Sequence, residues 1–203
     1  GAHVVRALRD SGRAAVVLDD LSTGIAAKVP SDVPLVRSRL QDTAAVVRAL
    51  REHRIDGVVH LAAKKAAGES VHQPLHYYDE NVGGMTSLLA AMAAADVSRL
   101  VYSSSAAVYG TPPVNPVTED APLHPESPYG STKVIGEWMA HDEGVARRSS
   151  ATTTPRPTAP ASVTTCTWSI WRPRTWRRSR GARAARWPMC SMSGAAWARR
   201  CAR

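Results

Sequence analysis

No aspartate or glutamate follows Glu143 in this 203-residue chain. Thirteen of the 26 basic residues, all arginine, lie from Arg147 onward, so residues 1–146 carry about −4 and the remainder about +13. The net charge of +9 therefore describes neither part. Cys166, Cys190 and Cys201, and five of the six tryptophans, also fall in the arginine-rich part. A single folded domain rarely divides its composition so sharply. The division predicts a folded domain over 1–146 and a basic Arg/Ala/Trp-rich tail over 147–203.

Other absences narrow the classes. No apolar run approaches the roughly 20 residues that span a bilayer, and no signal-peptide pattern opens the chain. A soluble, cytoplasmic protein without a membrane partner is expected. The cysteines form no C-x-x-C pair. The histidines His3, His53, His60, His72, His76, His124 and His141 show no metal-ligand spacing, so no metal site is expected. His60 ends an apolar run and reads as packed or hydrogen-bonded rather than catalytic.

What is present alternates. The runs "AAVVLDD" (14–20), "DGVVHLAA" (56–63) and "RLVYSSS" (99–105) have strand length and β-branched content. Between them lie helical patterns: "AHVVRALRDSG" (2–12), "DTAAVVRALREH" (42–53) with Asp42 as N-cap, and "GGMTSLLAAMAAA" (83–95). A further helix runs from Tyr129 to His141, with Ser127 and Pro128 at its start. Strands alternating with helices predict an α/β fold, a doubly wound parallel sheet with right-handed crossovers. Ligands of such sheets bind at the carboxyl ends of the strands.

Asp19 ends the first of these strands. In a dinucleotide-binding βαβ unit, an acid there accepts the adenine-ribose hydroxyls, about 20 residues past the glycine loop. Counting back places Gly1 at the last glycine of that loop, with the first strand and the other glycines absent. The sheet is accordingly expected to be incomplete.

"SPYGSTKVIGEW" (127–138) sets Tyr129 and Lys133 at i and i+4, on one helix face. A tyrosine titrates near ~10, and a nearby ammonium favours the phenolate, as would a bound nicotinamide cation. The pair suits a general base acting on a sugar or alcohol hydroxyl. Ser103, Ser104 and Ser105 follow the third strand, where a hydroxyl can share the reacting oxygen with the phenol.

These residues resemble the extended short-chain dehydrogenase/reductase superfamily and, within it, the UDP-glucose 4-epimerase family. The resemblance covers about 1–143. It rests on "LDDLSTG" (18–24), "VVHLAAKKAAGESVHQPLHYYDENVGG" (58–84), "SSSAAVYG" (103–110) and the Tyr129–Lys133 segment. It implies an NAD-binding Rossmann-like domain and exchange of UDP-glucose with UDP-galactose by transient hydride transfer from sugar C4 to tightly held NAD. Tyr129 would take the 4-hydroxyl proton, Lys133 would lower its pKa and bind the nicotinamide ribose, and Ser105 would hydrogen-bond the reacting oxygen. Gly1, Asp19, Asp20, Leu21, Ser22, Thr23 and Gly24 would frame the adenosine end. Leu61, Ala62, Ala63 and Lys65 would line the cofactor, with Asn81 supporting it. A homodimer and no nucleic-acid partner are implied as well. Ala106 and Ala107 stand where related dehydratases carry an Asp-Glu pair, which favours epimerisation over another NAD-dependent nucleotide-sugar epimerase/dehydratase reaction. Three departures from the family pattern stand out. Arg39 takes the place of an acid that meets adenine, Glu80-Asn81 replaces two asparagines, and Lys64 precedes Lys65 where an apolar residue is common.

The tail admits three readings: a disordered basic extension, a polyanion binder built from Arg interleaved with Trp, and a change of reading frame. The third follows from the resemblance, since a Tyr-Tyr-Asn-Ala strand read one base early yields Ala-Thr-Thr-Thr-Pro, the sequence of 151–155. On that reading the 203-residue chain is expected to bind NAD poorly and to turn over little. A catalytically dead Rossmann-like module with a polyanion-binding tail is the contrasting class, and it leaves Tyr129, Lys133 and Ser105 without a purpose.

Overall fold

The computed structural model describes residues 1–143 and the backbone of residues 169–172. Six α-helices and five strands follow in order: α1 (Ala2–Asp10), β1 (Ala14–Asp19), β2 (Leu35–Arg37), α2 (Thr43–Glu52), β3 (Gly57–His60), α3 (Ala67–His72), α4 (Pro74–Tyr77), α5 (Gly84–Ala94), β4 (Leu100–Tyr102), α6 (Pro128–Asp142) and β5 (Ser169–Arg172). A π-helical turn, Tyr78–Gly83, joins α4 to α5, and a 3-10 turn, Ala106–Tyr109, follows β4.

The expected elements form for the expected reasons. Asp42 caps α2, its carboxylate accepting from the Ala45 amide at 3.0 Å. Ser127 caps α6 by accepting from the Gly130 amide at 3.1 Å, with Pro128 in the first turn. Along β1 the side chains alternate, as a period of two requires. Val16 and Leu18 join a large core with Val46, Leu50, Leu88, Met92 and Ala140, whereas Val17 packs with Val5 and Val33. The sheet therefore carries α1 on one face and α2, α5 and α6 on the other, a doubly wound arrangement.

The strand order is β2-β1-β5-β3-β4. The parallel pairing expected from the alternation holds between β1 and β2 (Leu18 opposite Val36) and between β3 and β4 (Val59 opposite Val101). β5 departs from it, running antiparallel to both β1 and β3, with Ile170 opposite Val16 on one side and Val58 on the other. Its four residues belong to the arginine-rich tail, which the sequence reading treats as irregular. "SIWR" is short and carries the β-favouring Ile and Trp, and as a strand it satisfies backbone groups along two sheet edges at once. The remaining tail, with the questions of reading frame and polyanion binding, lies outside the described residues. Among the described residues, no helix is long and apolar enough to cross a membrane, and no group of three or more His, Cys, Asp or Glu side chains is placed to hold a metal ion.

Candidate active site

The carboxyl ends of β1, β3 and β4 bring Asp19, His60 and Tyr102 to one side of the sheet, and the polar segments that follow these strands build the site. The Ser103 amide donates to the His60 carbonyl at 3.0 Å, extending the β3–β4 ladder past the end of β4. Lys133 reaches back from α6 and donates from Nζ to the Ser103 carbonyl at 2.9 Å. It is only 4% exposed, and its ammonium stands 5.0 Å from the centre of the Tyr102 ring and 6.0 Å from that of Tyr129. Two aromatic faces thus help to hold a nearly buried cation. Burial, reinforced by the Glu137 and Tyr129 acids, pushes the Tyr102 phenol well above its usual range, so it stays protonated. Burial and then the Lys133 charge push the His60 imidazole down to about 3, so it is neutral at neutral pH.

Tyr129 sits in the first turn of α6, where a helix leaves its amides without internal partners. Its amide donates to Ser70 Oγ at 3.1 Å, and Ser70, fully buried, donates in turn to the Ala67 carbonyl. Ser105 accepts from the Ala107 amide at 3.2 Å and so caps the 3-10 turn that leads over α6. That turn comes close because residue 130 is glycine: a Cβ there would lie 2.6 Å from the Ala107 carbonyl oxygen. Gly130 therefore lets the segment beginning at Ser105 pack beside Tyr129.

Asn81 ties this group to the loop after β3. Its side chain accepts from the Lys64 amide at 2.8 Å and donates to the Lys64 carbonyl at 3.0 Å and to Thr132 Oγ1 at 2.9 Å. Thr132 donates to the Tyr129 carbonyl at 2.7 Å. Asn81 reaches both partners from the π-helical turn, a backbone form that recurs at functional sites. Tyr77 pins the same loop. It accepts from the Ala66 amide at 3.1 Å and donates to Glu69 at 2.8 Å, and burial together with the Glu69 carboxylate pushes its phenol up to about 12.

Beyond Asn81 a cleft of about 350 Å³ runs toward β1 and β2. Its walls include Asp19, Asp20, Ser22, Thr23, Arg39, Ala62, Ala63, Lys64, Lys65, Glu80 and Asn81. Asp19 is nearly buried, and burial raises its carboxyl above the usual range although Oδ1 accepts from the Leu21 amide at 2.8 Å. Leu21 takes a left-handed φ of 60° to close that turn. Asp20 repeats it one residue on, accepting from the Ser22 amide at 2.8 Å. Gly24 passes so close that a Cβ would sit 2.6 Å from Asp19 Oδ1. Across the cleft Arg39 and Glu80 form an ion pair.

The structure thus gathers Asp19, Asp20, Ser22, Thr23, Ala62, Ala63, Lys65 and Asn81 around one cavity. Gly1 sits at the start of α1, and Leu21 lines a small neighbouring depression with Ala2 and Asp19. Leu61, Gly24, Ser105, Tyr129 and Lys133 are not walls of the large cleft. The last two join it through the Asn81–Thr132 link. Sequence reasoning missed Ser70, Tyr77 and Thr132 as supports. All three lie inside the quoted motifs, but their partners come from the packing of α3, α4, the π-helical turn and α6 on one another.

A doubly wound sheet with a strand-end acid beside a cleft, and a tyrosine–lysine pair on α6, has the architecture of a dinucleotide-binding α/β domain. The sequence matches the model of the NAD dependent epimerase/dehydratase family over residues 1–162, and the chain belongs to that family. It is 46% identical over 149 residues to a UDP-glucose 4-epimerase of Lactobacillus helveticus, the match covering 71% of this chain and 45% of that protein. It is 43% identical over 146 residues to that of Azospirillum brasilense, with 72% and 42% covered. Among solved structures, UDP-glucose 4-epimerase from Brucella ovis in complex with NAD superposes with a TM-score of 0.71 at 37% identity, over 73% of this chain and 47% of that one. The chain spans under half the length of the curated relatives it matches.

Proposed function

We propose that this chain is the cofactor-binding part of an enzyme that interconverts UDP-glucose and UDP-galactose with NAD. The cleft suits such a cofactor. Asp19 is a strand-end carboxylate with a glycine drawn tight beside it, apolar Ala62 and Ala63 lie along the wall, and Lys65 adds a cation. When bound, NAD would supply reversible hydride transfer at sugar C4. Tyr129 takes the proton from the 4-hydroxyl and gives it back after the sugar has turned over. Lys133 sets its positive charge beside the Tyr129 ring and holds the nicotinamide ribose. Ser105 shares the reacting oxygen. Asp19 holds the adenine ribose, with Asp20 to Gly24 framing it. Asn81 fixes the loop of Leu61 to Lys65 against α6. Gly1 lies at the phosphate end. A homodimer belongs to the same reading, and sedimentation tests it.

The observation that carries the proposal is the near-complete burial of Lys133 with its Nζ pinned 2.9 Å from the Ser103 carbonyl and 6.0 Å from the Tyr129 ring. Burying a cation is costly unless partners hold it, and here one carbonyl and two aromatic rings fix it beside Tyr129. A coupled assay tests the function: UDP-galactose is supplied, and UDP-glucose is read through a UDP-glucose dehydrogenase. Formation of UDP-glucose that is lost in Tyr129→Phe supports the proposal. Absence of product, with turnover of a different nucleotide sugar, would overturn the substrate assignment.

A further inference from the structure

Two of the three departures from the family pattern meet in space. Arg39 follows β2 and Glu80 lies on the π-helical turn, 41 residues apart, yet Arg39 Nη2 donates to Glu80 Oε1 across the cleft. We infer that Glu80, steered by Arg39, reads the base of the bound dinucleotide and selects a ring bearing an exocyclic amine over one bearing a carbonyl at that place. This inference rests on the proposed cofactor.

The polar groups at this end of the cleft can be sorted by what they have left to offer. Asp19 and Asp20 each spend one oxygen on a turn amide, and both lie where the ribose is expected. Ser38 donates to the Arg39 carbonyl. Glu80 has Oε1 engaged by the guanidinium, while Oε2 makes no hydrogen bond among the described residues. Its side chain is 20% exposed against 56% for Arg39, so the carboxylate is the more withdrawn partner and the arginine shields it from solvent. A carboxylate of this kind is an acceptor only. It takes a hydrogen bond from an exocyclic amine and repels a carbonyl oxygen, the logic by which acidic side chains read amino groups on base edges. The guanidinium fixes its direction, and direction turns a charge into a discriminating contact.

Calorimetric titration of the 203-residue chain with NAD and with nicotinamide hypoxanthine dinucleotide, in which the exocyclic amine becomes a carbonyl and ring N1 gains a hydrogen, tests the inference. NAD is expected to bind about tenfold tighter, the size of one good charged base contact. In Glu80→Gln, whose amide can also donate, the preference is expected to vanish or reverse. Equal binding of the two dinucleotides by the unaltered chain, or an unchanged preference in Glu80→Gln, overturns the inference and leaves the cofactor reading standing. Binding of neither, at dinucleotide concentrations high enough to register weak binding, overturns both. The comparison in the unaltered chain needs no variant to fold.

Discussion

At the α6 side of the site Lys133, Asn81, Thr132 and the Tyr129 backbone are locked by buried partners, while at the β2 side the groups are held by short turns and by an ion pair open to water. Lys133 is nearly buried and bonded to a strand-end carbonyl. Asn81 makes three hydrogen bonds, and the Tyr129 amide and carbonyl are both taken. Asp20, Arg39 and Glu80 instead depend on one contact each among those described above. A group that must meet a reacting atom tolerates little misplacement, since small errors in geometry are large losses in rate. A group that only recognises a remote part of the ligand can be exchanged when its neighbour changes with it. The contrast fits the sequence: Tyr129, Lys133 and Ser105 keep the family pattern, and two of the three departures, Arg39 and Glu80, sit at the open end.

The sharpest way to break this contrast is Tyr129→Phe. Removing only the phenol hydroxyl is expected to lower kcat by about 10³-fold, within the range for lost general acid–base catalysis, while NAD affinity changes little. Steady-state epimerisation with a parallel cofactor titration checks both. A variant with near-normal kcat would remove Tyr129 from the chemistry.

Gly130→Ala and Gly24→Ala compare the two sides directly. Each added Cβ meets an oxygen at 2.6 Å, but at Gly130 the oxygen is the Ala107 backbone carbonyl and at Gly24 it ends the Asp19 side chain. Backbone cannot swing away. Gly130→Ala is expected to destabilise by about 1–3 kcal/mol and to lower kcat by displacing Ser105. Gly24→Ala is expected to fall at or below the low end of that range and to weaken NAD binding, because Asp19 must turn. Urea unfolding and cofactor titration separate the two.

His60 gives the locked side a pH signature. Its folded pKa lies far below its unfolded value near 6.5, so the unfolded chain binds the extra proton as pH falls, and stability is lost on acidification from about 6.5 toward about 3. Between pH 7 and pH 5 the loss from this group is expected to be ~2 kcal/mol. Urea midpoints at both pH values, with His60→Gln removing this part of the dependence, provide the check. Asp19 acts in the opposite sense. Its raised pKa means that ionisation in the fold is disfavoured, so its contribution weakens as pH rises through the acid range.

Much of this architecture was legible from local signals. Asp42 and Ser127 announced α2 and α6 by capping, and the apolar runs announced β1, β3 and β4 to within a few residues at each end. The Tyr129–Lys133 spacing placed both on one helix and brought them within 6.0 Å. What stayed hidden depends on contacts far apart in sequence. The Ser70–Tyr129 bond spans 59 residues and the Asn81–Thr132 bond 51, and neither has a periodic or capping signal. The π-helical turn that aims Asn81 reads locally as ordinary helix. β5 was hidden for another reason: a four-residue strand that ends in Arg172 and is followed at once by Pro173 lacks the length and turn signals that mark the others, and it exists only where two open edges already face each other.

The smallest expected effect is on stability at the open end. Arg39→Ala removes an ion pair whose arginine is more than half exposed. Such pairs gain little because water screens the charges and two long side chains must be held still, so unfolding should shift by less than about 1 kcal/mol, and less again in high salt. Ligand recognition should shift more than stability, because freeing Glu80 loosens the direction of its carboxylate while leaving the fold intact. Urea unfolding at low and high salt, set beside NAD titration of the same variant, reads this ratio. A loss of several kcal/mol would mean that the pair braces β2 against the π-helical turn, and the division between a locked side and an exchangeable side would fail at the residue chosen to define it.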